Sequence, residues 1–187
     1  MSEADPARGA LLLCLDMQPV FLRVVGNGER ILRRCKFAVS SARGLGIPVA
    51  FTEQVPGRLG GTEPTLLGLA DPPVVHPKDT FSALAPSTQV RRDLTEGRDL
   101  SHLILCGIET PVCVYQTAAD ALGAGLAVTV LTDCVGARRE ADARACLEAL
   151  ARAGARILPS ETLFYSMLGG AAHPFFRSYT ELVKQYG

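Results

Sequence analysis

Short apolar runs recur along this chain at intervals too long for hairpins, and segments of helical period fill the gaps between them. Runs at 10–15, 48–52, 102–107, 126–132 and 156–158 are strand-sized, and Val74-Val75 offers a further short edge strand. Strands separated by helices need crossover connections, so the alternation predicts a parallel sheet with helices on its faces. The helical stripes are Ile31, Leu32, Cys35, Val39 and Ala42, then Tyr115, Ala118, Ala119 and Leu122, then Cys146, Ala149, Leu150 and Ala153. Glycines close the helices where the scheme needs them: Gly44 and Gly46 before Pro48, Gly123 and Gly125 before the fourth strand, and Gly154 before the last. A final helix over 174–186 gathers Phe175, Phe176, Tyr179, Leu182, Val183 and Tyr186 on one stripe, to pack on the sheet or on another subunit. The expected fold is a Rossmann-like three-layer α/β sandwich with a mainly parallel central sheet.

At 187 residues and 48% hydrophobic, the chain is long enough for one well-buried core and short for two, so residues 1–187 are expected to form a single domain, with 1–8 flexible. Nineteen basic residues balance nineteen acidic ones, which leaves no global field to recruit nucleic acid or an anionic membrane. None of the apolar runs approaches the roughly 20 residues that span a bilayer. The N-terminal segment Met1-Ser2-Glu3-Ala4-Asp5-Pro6 has two acidic residues and no apolar h-region, so a cytoplasmic location and a small-molecule partner are expected.

In an open α/β sheet, ligands bind beyond the carboxyl ends of the strands, which singles out the residues just after each run. Asp16 ends the run Leu11-Leu12-Leu13-Cys14-Leu15, although Asp also serves there as a cap or turn residue. Cys113 follows the strand at 102–107, where Pro111 suits the first turn of a helix whose N-terminus favours a thiolate. Lys78, in His76-Pro77-Lys78-Asp79, would favour the same thiolate if it lay beside Cys113. Glu53 and Gln54 end the second strand, and either contact substrate or order the long loop after it. Asp133, after Leu131-Thr132, either lines the site or caps a turn before Gly136.

Of the six cysteines, Cys14, Cys35, Cys106 and Cys146 fall in apolar periodic segments and read as reduced, buried small hydrophobes. No CxxC pair or Cys/His set has zinc-ligand spacing, and His76 has no second ligand near it in sequence, so no metal and no cofactor are expected.

Strand-terminal Leu15-Asp16-Met17-Gln18, the Lys78 segment, Gly107-x-x-Thr110-x-x-Cys113 and Thr132-Asp133 together resemble the isochorismatase-like, or cysteine, hydrolase family over nearly the whole chain. Thr52-Glu53-Gln54, Gly60-Gly61-Thr62-x-Pro64 and Gly107-Ile108-Glu109-Thr110 look most like its isochorismatase domain-containing subgroup. The resemblance implies a catalytic triad of Asp16, Lys78 and Cys113. In it the Asp accepts the thiol proton and the Cys attacks an amide-like carbonyl to give an acyl-enzyme. It also implies a cis peptide between Ile108 and Glu109, an oxyanion site built from the N–H groups of Glu109 and Cys113, and a homo-oligomer. Gln18, Phe21, Glu53, Phe81 and Thr110 are the residues expected to bind substrate. The Asp-x-His metal segment of similar nicotinamidases is absent, and the presence of Cys113 argues against isochorismatase chemistry proper. Two other readings use the same residues: a binding or assembly module that keeps the fold, and a thiol redox protein pairing Cys113 with Cys106 or Cys14.

Overall fold

A computed structural model describes residues 7–97 and 99–187. In chain order the elements are β1 (Ala10–Leu15), α1 (Pro19–Leu22), α2 (Gly28–Gly44), β2 (Val49–Gln54), α3 (Pro56–Leu59), α4 (Pro64–Leu67) and β3 (Val75–Lys78). There follow α5 (Gln89–Thr95), β4 (His102–Ile108), a π-helical turn (Thr110–Val114) that runs into α6 (Tyr115–Gly123), β5 (Ala127–Gly136), α7 (Glu140–Arg152), β6 (Arg156–Leu158), α8 (Ser160–Leu168) and α9 (Phe176–Tyr186).

All six strands pair in parallel in the order β3-β2-β1-β4-β5-β6. β1 and β4 are central, buried on both faces, and, apart from half-buried His102 at the start of β4, apolar rather than alternating, as a sheet covered on both sides requires. One face packs against α2, α8 and α9 through Ile31, Phe37, Val39, Phe164 and Tyr179. The other packs against α5, α6 and α7 through Leu94, Val114, Ala118, Ala121 and Leu150. The chain winds outward from β1 in one direction and from β4 in the other, so a crevice opens between the carboxyl ends of these two neighbours.

Registers place those carboxyl ends level, with Leu15 opposite both Thr52 and Gly107, and Gln54 opposite Lys78. Gly107 is required there: at φ 114° an added Cβ would fall 2.0 Å from the Leu15 carbonyl oxygen.

Several sequence expectations are corrected. β5 runs on past residue 132, because a bulge opposite Leu105/Gly107 lets Val135 and Gly136 resume pairing. The buried face of α6 is Thr117, Ala118 and Ala121, with Ala119 exposed, because the Thr117 hydroxyl turns inward to accept the Ala83 N–H. On α7 only Leu150 is fully buried; Cys146 is half-buried and Ala153 exposed. The short α5 and α8 carried no distinct sequence signal. The aromatic stripe of α9 packs inward on α2 within one chain, with Tyr179 fully buried. Residues 1–6 lie outside the described residues, while Ala7 packs against the core and Arg8 pairs with Asp99 at 3.7 Å. Among the described residues no helix is long and apolar enough to cross a membrane.

Candidate active site

Asp16 leaves β1 with φ 51°, a left-handed conformation that costs an L-residue about 1 kcal/mol and turns its carboxylate into the crevice. One oxygen accepts the Thr52 hydroxyl at 2.7 Å and the other meets Lys78 Nζ at 2.7 Å. Lys78, the last residue of β3, has a side chain only 1% exposed, so its charge must be met inside the protein. Its ammonium donates to Asp16, to Gln54 Oε1 and to the carbonyls of Thr80 and Phe81, and lies 3.6 Å from Cys113 Sγ. The structure thus brings Asp16, Lys78 and Cys113 together from the ends of three different strands.

Cys113 sits in the π-helical turn rather than in the first turn of an ordinary α-helix, and the Ile108–Glu109 peptide just before that turn is cis. The thiol is 7% exposed and faces the pocket. Burial, reinforced by the Asp16 carboxylate, pushes its pKa up to about 12 against the opposing pull of Lys78.

The pocket over Cys113 has a volume of about 290 Å³. Phe21, Phe81, Ile108 and Val112 give it apolar walls; Asp16, Gln54 and Cys113 supply polar groups, and Glu109 and Arg138 complete the lining. Arg138 Nε donates to Glu109 Oε1 at 2.9 Å. Larger clefts of about 710 and 450 Å³ are lined by neither Cys113 nor its two partners.

Of the expected substrate contacts, Phe21 and Phe81 line this pocket, whereas Gln18, Glu53 and Thr110 do not. Gln18 is fully buried and clamps the loop after β2, donating to the carbonyls of Gln54 and Gly60 and accepting the Gln54 N–H. Glu53 orders the same loop by accepting the Thr62 N–H at 2.7 Å. Thr110 faces a separate cavity of about 230 Å³, bounded by Ile31, Thr132 and Leu147. Asp133 is also absent from the pocket wall. It accepts the Ser160 N–H and hydroxyl at 2.7 and 2.6 Å and pairs with Arg34 at 2.8 Å. Burial opposes its ionisation, but the bonds from Ser160 and Arg34 outweigh that and hold its carboxyl below the usual range. Val112 and Arg138 escaped the sequence reading. Arg138 reaches the pocket only because the bulge carries β5 to Gly136, which a strand ending at 132 hides.

A doubly wound parallel sheet flanked by helices, with polar groups gathered at its switch point, defines the Rossmann-like class of three-layer α/β folds. Within that class, the chain belongs to the isochorismatase family: the isochorismatase domain matches residues 10–162. Isochorismatase domain-containing protein 2 of Bos taurus is 36% identical over 191 residues, covering 99% of this chain and 91% of that protein. Isochorismatase domain-containing protein 1 of Danio rerio is 33% identical over 94% of this chain and 61% of its own length. Among solved structures, the MAR1 ribonuclease of Caenorhabditis elegans superposes with a TM-score of 0.88 at 31% identity, covering 98% of this chain and 93% of that one. The Bacillus subtilis nicotinamidase/pyrazinamidase PncA shares the fold at 19% identity, with a TM-score of 0.69 over 80% of this chain and 98% of its own.

Proposed function

We propose that the chain hydrolyses a small amide-like carbon–nitrogen bond through an acyl-enzyme on Cys113. The observation that carries this reading is that Asp16 and Cys113 line one apolar pocket at the switch point while buried Lys78 contacts both of them. The thiol proton passes to the Asp16 carboxylate as sulfur attacks the carbonyl carbon, so charge separation is confined to the transition state. The oxyanion meets the N–H groups of Glu109 and Cys113. Collapse expels the amine, which takes the proton from Asp16; a water deprotonated by Asp16 then attacks the acyl carbon, the C–S bond breaks to release the acid, and Asp16 returns the proton to the Cys113 sulfur. Lys78 pairs with the Asp16 carboxylate at 2.7 Å and holds it in place. A pocket of about 290 Å³ suits a small substrate.

The test is intact mass after incubating the wild type and Cys113→Ser with a panel of small amides. An acyl adduct or turnover that disappears in the variant supports the reading. Turnover that survives in a folded Cys113→Ser overturns it. The ribonuclease name of the C. elegans relative supplies a second reading, phosphodiester cleavage, which the same two proteins test with labelled RNA. We also propose a homo-oligomer, in line with the Escherichia coli YcaC gene product, which shares the fold and is described as an octameric hydrolase. Light scattering decides that point, and a monomer at micromolar concentration rejects it.

A further inference from the structure

Four of the six cysteines that the sequence scatters over 121 positions meet in one place. Cys14 on β1 and Cys106 on β4 are direct register partners, and Cys134 follows on β5, so three adjacent strands each send a thiol to the same face of the sheet. Cys35 comes down on them from α2. All four are fully buried. The sulfurs of Cys14, Cys35 and Cys106 lie within 4.8 Å of one another, and the Cys134 thiol, in the same buried cluster, donates to Asp133 Oδ1 at 3.7 Å. Cys35 Sγ also approaches the Cys134 carbonyl oxygen at 3.2 Å. Among the described residues this is the only set of three or more His, Cys, Asp or Glu ligand atoms so closely gathered, and Cys113 is not a member.

From this cluster we infer a buried binding site for a thiophilic d10 cation, Zn(II) or Cu(I), held by Cys14, Cys35, Cys106 and Cys134. A Zn–S bond of about 2.3 Å puts tetrahedral sulfurs roughly 3.8 Å apart, so the Cys14, Cys35 and Cys106 sulfurs, all within 4.8 Å of one another, need close by no more than about 1 Å, and rotation of the Cys134 side chain away from Asp133 supplies the fourth ligand. Sulfur-only donors in a dry, apolar shell select soft cations over Mg(II) or Ca(II). Cysteines that merely fill space as small hydrophobes have no reason to converge from three strands and a helix on a single point. Each ligating thiol loses its proton to solvent as its sulfur–metal bond forms, and no electron is transferred. Because nothing in the cluster is exposed, the ion enters before the core closes, so binding is part of folding.

The test is anaerobic refolding of the full chain from guanidinium with a phosphine reductant and one equivalent of Zn(II), or separately of Cu(I), followed by passage over a chelating resin. The expected result is one ion retained per chain, with three or four sulfur scatterers at about 2.3 Å by X-ray absorption. Retention is lost in Cys35→Ala and kept in Cys146→Ala, both checked for folding by circular dichroism. If Cys35→Ala does not fold, the absorption spectrum of the wild type decides alone. No retained metal, nitrogen or oxygen coordination, or a disulfide within the cluster overturns the inference.

Discussion

A thiol with a pKa near 12 contributes almost no thiolate at neutral pH, and this separates two kinds of reactivity at Cys113. Alkylation by iodoacetamide needs the free thiolate, whose population rises tenfold per pH unit below the pKa. Its rate at Cys113 is expected to climb about 100-fold between pH 7 and pH 9, read by peptide mass spectrometry. Turnover, with Asp16 removing the proton during attack, is expected to stay nearly flat over the same interval. A parallel rise in both rates would mean that a pre-formed thiolate carries the reaction. Asp16, Lys78 and Cys113 were legible in the sequence because each lies at or beyond a strand end and because the segments that carry them resemble the isochorismatase-like family. Gln18 and Glu53 follow strands too, but their polar groups are spent on the loop backbone, and no pattern in the sequence tells a side chain facing the pocket from one facing the chain.

At the scale of elements, Asp133 joins β5 to α2 through Arg34 and to the start of α8 through Ser160. Its depressed pKa stabilises the folded state above the unfolded value near 3.9, and that contribution is lost as pH falls through the lower folded value. Asp133→Asn breaks a largely buried pair and is expected to cost about 3 kcal/mol in urea unfolding at pH 7, leaving Arg34 with only the more exposed Glu161 as its carboxylate partner. The deficit relative to the wild type should shrink below pH 4, where the native carboxylate is itself lost. The strands were readable because their apolar runs are short and bounded by glycines, whereas the bulge in β5 was not. It depends on how β4 and β5 pair at Leu105 and Gly107, a relation between distant segments.

Across the whole molecule, α9 closes the core from the chain's far end. Tyr179 sits among Phe37, Tyr165 and Phe175, with ring centroids 5.6, 4.9 and 6.2 Å away. Gly44 on α2 is the complementary device, since a Cβ there would meet the Phe175 ring at 1.9 Å. Tyr179→Ala is expected to cost about 3–5 kcal/mol and lower the Tm on the order of 10 °C by calorimetry. The three-layer architecture was visible in the order of strand-like and helix-like segments, but the choice between packing inward and meeting another subunit was not. An amphipathic stripe records that a face is covered without recording by what.

The groups assigned to bond cleavage sit on or near strand ends fixed by sheet register, and Val112 shares the π-helical turn of Cys113, whereas Phe21, Phe81 and Arg138 reach the cavity from three other segments. Much of the pocket wall is therefore built separately from the proposed reacting groups. Those three segments form an interchangeable face that can be re-cut for a new substrate while the reacting groups keep their places.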